Sequence, residues 1–165
     1  IAEMDKAMST QLYDVLDVVG RRFQEVFSQL FGGGTAQIVL TDPDNILTGG
    51  IDFYIQPPGK KRQQLTLLSG GERALTVIAL LFSFLDYRPA PFCVLDEVDA
   101  ALDEANVERF SSYLNRVNKE TQFIVVSHRK KTMEAAEVLQ GVTMVERGVS
   151  RLLTVAFEDV KEDLA

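Results

Sequence analysis

Apolar residues recur every three or four positions through the first part of the chain. They are Met4, Met8, Leu12, Val15, Val19, Phe23, Val26 and Leu30. This spacing places them on one face of a helix, so we predict one long helix that ends near Phe31, where three consecutive glycines stop it. The helix has no capping residue at Ile1, and its apolar stripe is narrow. It therefore suits the end of a coiled-coil arm cut from something longer as well as an ordinary amphipathic helix.

Two strand-like segments follow at residues 36–40 and 51–56, with turn-forming residues between them, and together they predict a hairpin. From residue 74 to residue 85 nearly every side chain is apolar. This run predicts a helix that is buried on most sides and that ends before the proline-rich segment 88–91.

In the rest of the chain, segments with the apolar pattern of a strand alternate with segments that have the apolar pattern of a helix. Strands are predicted at residues 92–95 and 123–126, and helices at about 104–117 and 132–139. Apolar strands separated by helices of this length predict a parallel sheet covered on both faces. Residues 142–145 and 149–156 predict a closing hairpin. The fold class is therefore α/β, in one lobe.

Composition limits the function classes. With 165 residues, 46% of them hydrophobic and 25% charged, the chain suits one soluble domain. A net charge of −7 argues against a surface that attracts nucleic acid broadly. DNA contact would have to come from local basic clusters such as 60–62 or 129–131, each of which also fits a plain solvated loop.

Cys93 is the single cysteine, so no internal disulfide can form, and we expect a packing role in a reducing cytosol. No apolar run approaches the ~20 residues needed to span a bilayer, and the first residues lack a signal-peptide pattern. We expect a cytoplasmic protein without a membrane partner.

The segment Ser69-Gly70-Gly71-Glu72 allows two interpretations. Ser69 as N-cap and Glu72 at the third helical position match a capping box, which accounts for those two residues. It does not account for two glycines in the first helical turn, where each is less favourable than alanine by up to ~1 kcal/mol. Glycines there let a polyphosphate approach bare N–H groups at the positive end of a helix, with the Ser69 hydroxyl as a further donor.

Asp96 and Glu97 follow a buried strand, at the sheet edge where open α/β folds bind ligands. Asp96 could hold Mg²⁺, and Glu97 could orient and deprotonate the water that attacks a terminal phosphate. The alternative is a pair of solvated acids. His128, the only histidine, follows the next strand and should emerge at the same edge, where it could contact a γ-phosphate or be merely structural. Asp103 is expected to cap the following helix whatever else it does.

A phosphate-cradling loop of the form G-x-x-x-x-G-K-[ST] does not occur in these residues. At the only Gly-Lys pair, Gly59-Lys60, Lys61 follows and Tyr54 stands at the position of the first glycine. We therefore expect a lobe that needs a partner to bind and hydrolyse ATP.

Three segments together resemble the C-terminal half of the ATPase head of SMC proteins, the chromosome-organising relatives of ABC ATPases, and the bacterial branch in particular. The family's signature motif and its helix are similar to the segment LSGGERALTVIALLFS of this chain. The family's Walker B motif and D-loop are similar to FCVLDEVDAALDEANV, and its switch-histidine segment is similar to QFIVVSHRKKTMEAAEVLQGVTM. The likeness runs from about Gly32 to Phe157. The resemblance implies that residues 1–31 end the coiled-coil arm and that residues 32–165 form the C-terminal lobe of an ABC-type head.

The resemblance also implies partners and roles. The N-terminal half of the head would supply the Walker A loop, and Asp96, Glu97 and His128 would serve the nucleotide of the same head. Ser69, Gly70 and Gly71 would contact the ATP of a second head in a homodimer, with Asp103 in the seam between the heads. A kleisin subunit would dock through its C-terminal winged-helix domain near residues 142–157, and the full complex would act on DNA in chromosome condensation and segregation.

Two rival interpretations remain open on the sequence alone. One is the head of a related coiled-coil DNA-repair ATPase. The other is a binding module that docks a kleisin without chemistry of its own.

Overall fold

The computed structural model describes residues 2–117 and 121–156. Its elements are, in chain order, α1 (Ala2–Phe31), β1 (Thr35–Leu40), β2 (Ile51–Gln56), β3 (Gln63–Gln64), α2 (Gly70–Tyr87), β4 (Phe92–Asp96), α3 (Glu104–Val117), β5 (Gln122–Val126), α4 (Lys130–Glu134), β6 (Val138–Glu146) and β7 (Val149–Ala156). The strands form an antiparallel sheet β1-β2-β3, a parallel pair β4-β5 and an antiparallel hairpin β6-β7. The fold is α/β, but the predicted mostly parallel sheet is not confirmed, since β4-β5 is the only parallel pair among the described strands.

Helix α1 ends where the sequence predicts, at the glycine triplet. Gly34 has a φ of 86°, and a Cβ there would collide with the carbonyl oxygen of Gln56. Only glycine combines this left-handed backbone with so close an approach to β2. The triplet therefore turns the chain directly from α1 into the predicted β1-β2 hairpin, which is confirmed as an antiparallel pair.

The apolar stripe of α1 has two different environments. Phe23, Phe27 and Leu30 are fully buried in the core, whereas Met4 and Met8 are 68% and 54% exposed. Globular packing thus uses only the C-terminal part of the stripe. The assignment of residues 1–31 to a coiled-coil arm remains a prediction. No helix within residues 2–117 and 121–156 is both long and apolar enough to cross a membrane.

The core is centred on Phe82 of α2. Its ring centroid lies 6.3 Å from that of Phe110, 4.9 Å from that of Tyr113 and 5.8 Å from that of Phe123. Aromatic contacts of this kind hold α2, α3 and β5 together and add to the free energy gained from burial. The predicted burial of α2 on most sides is only partly right, because Val77 and Phe84 are exposed.

The parallel pair β4-β5 is covered on one face only. Leu95 is buried, and Cys93, Phe123 and Val125 pack against the same core. The alternate side chains of both strands point the other way and are exposed: Phe92, Val94, Ile124 and Val126. The prediction of a parallel sheet covered on both faces is therefore wrong for the described residues.

The helix predicted over residues 132–139 is correct at its start and wrong in its second half. Helix α4 ends at Glu134, and β6 begins at Val138. Strand β6 pairs with β7 from Val138 opposite Ala156. The predicted closing hairpin is confirmed, and it is longer than expected. Because successive side chains of a strand point to opposite faces, the exposure of both Leu152 and Leu153 means that the hairpin presents apolar side chains on both of its faces.

Burial raises the pKa of the Cys93 thiol. The fraction of reactive thiolate at neutral pH is therefore lower than for a free cysteine. We expect Cys93 to react slowly with iodoacetamide at pH 7.5 in the folded protein and at the rate of an ordinary thiol in urea. Equal rates in the two conditions, measured by mass spectrometry, would contradict the packing role.

Candidate functional site

Glu97, the proposed catalytic carboxylate, lies at the point where β4 ends. Asp96 is the last residue of that strand, and the backbone N–H of Glu97 donates to the carbonyl oxygen of Val126 at 2.9 Å. Glu97 has a φ of 47°, and no other non-glycine residue in the described part of the chain has a positive φ. Such a backbone is costly for a residue with a Cβ, and strain of this kind often marks functional positions. The strained turn directs the Glu97 carboxylate away from the core.

His128 lies beside Glu97, as expected from its position after the neighbouring strand. The distance from His128 Nδ1 to Glu97 Oε1 is 3.9 Å, and their side chains are 66% and 62% exposed. The parallel register of β4 and β5 produces this pairing, because Asp96 is opposite Val126 and the two chain continuations leave the sheet together. A carboxylate and an imidazole thus share one exposed edge. Their roles in catalysis remain predictions.

Asp96 is an exposed carboxylate at the same edge. Mg²⁺ takes oxygen ligands and is commonly held by one or two carboxylates together with water and substrate phosphates. Within residues 2–117 and 121–156, no group of three or more His, Cys, Asp or Glu side chains is arranged to hold a metal ion. A single exposed carboxylate is compatible with Mg²⁺ that takes its other ligands from water and substrate phosphates, and the metal role of Asp96 remains a prediction.

Ser69 is the N-cap of α2, and the capping box is present. Glu72 N–H donates to Ser69 Oγ at 3.4 Å, and Ser69 Oγ donates to Glu72 Oε2 at 2.7 Å. Lys60 Nζ lies 2.9 Å from Glu72 Oε1. Burial by itself would raise the pKa of Glu72, but the hydrogen bonds from Lys60 and Ser69 outweigh it and leave the pKa below its usual value. The single Ser69 hydroxyl proton is thus already used within the chain.

The two glycines after Ser69 differ in their surroundings. A Cβ on Gly71 would lie 3.0 Å from the carbonyl oxygen of Ala101, so the loop after β4 approaches this glycine closely. A Cβ on Gly70 would meet no atom of the described residues within 4 Å. The close approach of the loop therefore explains why residue 71 is a glycine. It does not explain Gly70, which faces open space at the N-terminus of α2.

Asp103 caps α3, as predicted. Its Oδ1 accepts from the N–H of Asn106 at 2.8 Å, and its carbonyl oxygen accepts from the N–H of Val107. This contact stabilises the helix start by about 1 kcal/mol relative to alanine. The cap also fixes the end of the loop that contacts Gly71.

Sequence reasoning missed a polar cluster beneath this loop. Asp99 is fully buried, and its Oδ2 accepts from Ser127 Oγ at 2.6 Å and from Thr132 Oγ1 at 2.5 Å. Arg129 Nη2 donates to the carbonyl oxygens of Leu102 at 2.9 Å and Ala100 at 3.3 Å. These partners are about thirty positions apart in the chain, and the only sequence signal was an acidic residue that a solvated loop would equally explain.

Comparison with known proteins places this chain in a family. The model for the RecF/RecN/SMC N terminal domain matches residues 6–151. Chromosome partition protein Smc of Bacillus subtilis (strain 168) is 58% identical over 162 residues, which are 98% of this chain and 14% of that protein. The protein of the same name from Desulfitobacterium hafniense (strain Y51) is 55% identical over 99% of this chain and 14% of its own length. The chain thus spans about a seventh of these relatives.

Solved structures agree with this result. The Smc head domain of Pyrococcus furiosus, with an extended coiled coil and bound to the C-terminal domain of ScpA, has a TM-score of 0.88 and 35% identity, over 99% of this chain and 41% of that chain. A chain from a study of ATP-driven dimerization and DNA-stimulated activation of SMC ATPases has a TM-score of 0.84 and 35% identity, over 94% of both chains. With its α/β fold similar to that of SMC head domains, this chain belongs to the RecF/RecN/SMC family.

Proposed function

We propose that this chain is the C-terminal lobe of the ATPase head of a bacterial chromosome-partition SMC protein, active in ATP hydrolysis only when an N-terminal lobe and a second head complete its sites. The observation that carries the proposal is the pairing of Glu97 with His128 at the edge of β4-β5. A strained glutamate beside a histidine at this edge suits phosphoryl-transfer chemistry.

In this proposal the edge of β4-β5 serves the nucleotide of the same head. Glu97 orients the attacking water and accepts its proton, while His128 donates a hydrogen bond to the γ-phosphate. Asp96 would be the residue that holds Mg²⁺. When bound, Mg²⁺ would neutralise charge on the phosphates. The exposure of Glu97 and His128 leaves both side chains free to meet a nucleotide brought by another lobe.

The start of α2 would serve the nucleotide of the second head. Ser69 and Gly70 are exposed, and the helix N-terminus carries the partial positive charge that attracts phosphate. A direct Ser69–phosphate hydrogen bond would require the Ser69 hydroxyl to leave Glu72, because it has one proton. Lys60 would remain paired with Glu72 and would compensate the negative charge of the Glu72 carboxylate.

The uncovered face of β4-β5 supports the N-terminal half of the head as a partner. Four apolar side chains at alternate positions are exposed there, and the most exposed of them is Phe92, at 59%. Contiguous apolar surface on strands next to a polar edge is characteristic of an interface. An N-terminal lobe packed on this face would bring its phosphate-binding loop to the same edge as Glu97.

The β6-β7 hairpin is the proposed docking region for a kleisin. It exposes apolar side chains on both faces, and the relative from Pyrococcus furiosus was solved bound to the C-terminal domain of ScpA. The predicted region extended to Phe157, which lies outside the described residues. A cytoplasmic location and action on DNA in the full complex complete the proposal. Identity of 58% to a chromosome partition protein favours it over a DNA-repair ATPase.

ATP turnover tests the proposal directly. The chain would be assayed alone and after joining to the N-terminal half of its own protein, over a range of concentrations. We expect no turnover alone, and in the joined form a rate per head that rises with concentration because two heads share each site. The joined Glu97→Gln protein controls for contaminating ATPases. Turnover by this chain alone, or a rate per head independent of concentration, would overturn the proposal.

A further inference from the structure

Residues 97–103, here called the β4–α3 loop, are joined by hydrogen bonds at two points to the segment that carries His128, and they also pass close to the start of α2. The first attachment is at the bottom of the loop, where buried Asp99 accepts hydrogen bonds from Ser127 and Thr132. Those two residues flank His128 in the chain. The carboxylate therefore joins the loop that begins with Glu97 to the segment that carries His128.

The second attachment is Arg129, which follows His128 directly. One terminal nitrogen of its guanidinium donates to the carbonyl oxygens of both Ala100 and Leu102, and its backbone N–H donates to Ser127 Oγ at 2.9 Å. Arg129 thus extends from the His128 segment to the middle of the loop. A planar guanidinium is well suited to hold two carbonyls at fixed positions, and a lysine ammonium is a poor substitute.

Beyond these two attachments, the loop comes close to Gly71 at Ala101. The carbonyl oxygen of Ala101 lies where a Cβ of residue 71 would be only 3.0 Å away. Ala101 lies between the two residues that Arg129 binds. The Arg129 contacts therefore fix the part of the loop that touches the start of α2.

We propose that Asp99 and Arg129 are positioning residues. Through the β4–α3 loop they hold Glu97 and His128, at one nucleotide site, in fixed register with the α2 start, which faces the other nucleotide site. This inference rests on the proposed function, because the two sites exist only in a paired head. Neither side chain is required to touch nucleotide, so their loss should slow turnover without weakening ATP binding.

The experiment uses the completed head and compares Arg129→Ala, Arg129→Lys and the matched control Lys130→Ala. Lys130 is the neighbouring basic residue, its side chain is 89% exposed, and its contact is with Glu134 on its own helix. We expect Arg129→Ala to lower kcat by about ten-fold or more, since misplacement by about 1 Å can cost two orders of magnitude. The KM and the affinity for ATP should stay within about two-fold of the wild-type values. Arg129→Lys should retain part of the wild-type kcat. The control Lys130→Ala should keep the full wild-type kcat.

Hydrogen exchange provides a second readout that does not depend on turnover. The amide of Leu102 donates to the carbonyl oxygen of Asp99 within the loop. Arg129→Ala should speed its exchange while amides in β4 and β5 keep their protection. Thr132→Val, which keeps the side-chain shape but removes one hydrogen bond to Asp99, should lower kcat in the same way if Arg129→Ala does not fold.

The outcomes separate the two proposals. No turnover by the wild-type completed head would contradict the proposed function itself. A wild-type head that turns over ATP, together with a normal kcat in Arg129→Ala and Thr132→Val, would overturn the positioning role alone. In Arg129→Ala, a raised KM and weaker ATP binding with an unchanged kcat would overturn the positioning role as well, because that result would assign Arg129 to nucleotide binding.

Discussion

Replacing Glu97 with glutamine is expected to lower the kcat of the completed head by about 10²-fold or more, the usual loss when a general base is removed. Glutamine keeps the size of the side chain and its ability to orient a water, but it cannot accept the proton. The neighbouring His128 lies 3.9 Å away and does not replace the carboxylate, because its proposed role is to donate to phosphate. ATP binding and ATP-dependent pairing of heads should be retained.

The measurement is single-turnover hydrolysis in parallel with equilibrium ATP binding. Glu108→Gln is the matched control, because Glu108 is an exposed glutamate on α3 and should tolerate the change with a normal rate. Near-normal turnover by Glu97→Gln would remove Glu97 from the role of base. Loss of ATP binding would instead assign the carboxylate to nucleotide or metal binding.

Replacing Ser69 with arginine is expected to abolish ATP-dependent pairing of heads while each head still binds ATP. Ser69 is exposed at the start of α2, so a long side chain there projects outward from the lobe. It would occupy the space proposed for the partner's nucleotide and add a positive charge at the positive end of the helix. It would also remove the cap, at a cost of about 1 kcal/mol in the free energy of unfolding.

Pairing is best measured by sedimentation in the Glu97→Gln background, where ATP is not consumed. Ser69→Ala is the control for the lost cap, since it destabilises the helix start without adding bulk and should retain part of the pairing. A thermal melt of each variant separates misfolding from a blocked interface. Normal pairing by Ser69→Arg, or loss of ATP binding in unpaired heads, would contradict the assignment of Ser69 to the second site.

Much of the fold could be predicted because its signals are local. Three glycines ended α1 at Phe31, and alternating apolar residues on either side of a turn gave the β1-β2 hairpin. The meeting of Glu97 and His128 was also accessible, because strands that pair in parallel bring the residues that follow them to one edge. In each case a few neighbouring residues determine the outcome.

The errors arose where distant contacts decide. The pattern over residues 132–139 predicted a helix, yet pairing with β7 draws the chain into β6 from Val138 onward, so tertiary structure overrides local propensity there. The continuous apolar run of β4 predicted cover on both faces, whereas Phe92 and Val94 are exposed in this lobe. A run without alternation cannot show which of its residues will be covered by the same chain.

The polar cluster shows the same limit for the site. Asp99 and Thr132 are far apart in the chain, and nothing in the residues around either of them indicates a buried hydrogen bond. The two glycines after Ser69 looked equivalent in sequence, but only Gly71 is approached closely by the loop. Differences of this kind depend on the packing of one loop against two elements, which no local pattern records.

The proposed function requires one chain to serve two different nucleotides, with Glu97 and His128 at one site and Ser69 and Gly70 at the other. Mixing completed heads that carry Ser69→Arg with completed heads that carry Glu97→Gln tests this requirement most directly. Each variant alone should be inactive. In a mixed pair, the Ser69→Arg head keeps its own Glu97 and receives an intact α2 start from its partner, so one working site forms.

The measurement is ATP turnover of the equimolar mixture against each variant alone and against heads that all carry both Ser69→Arg and Glu97→Gln. We expect activity to return in the mixture to a fraction of the wild-type rate. A mixture as inactive as its components, in heads that fold, bind ATP and are shown by sedimentation to form mixed pairs, would show that Ser69 and Glu97 act on the same nucleotide and would contradict the division of one chain between two sites.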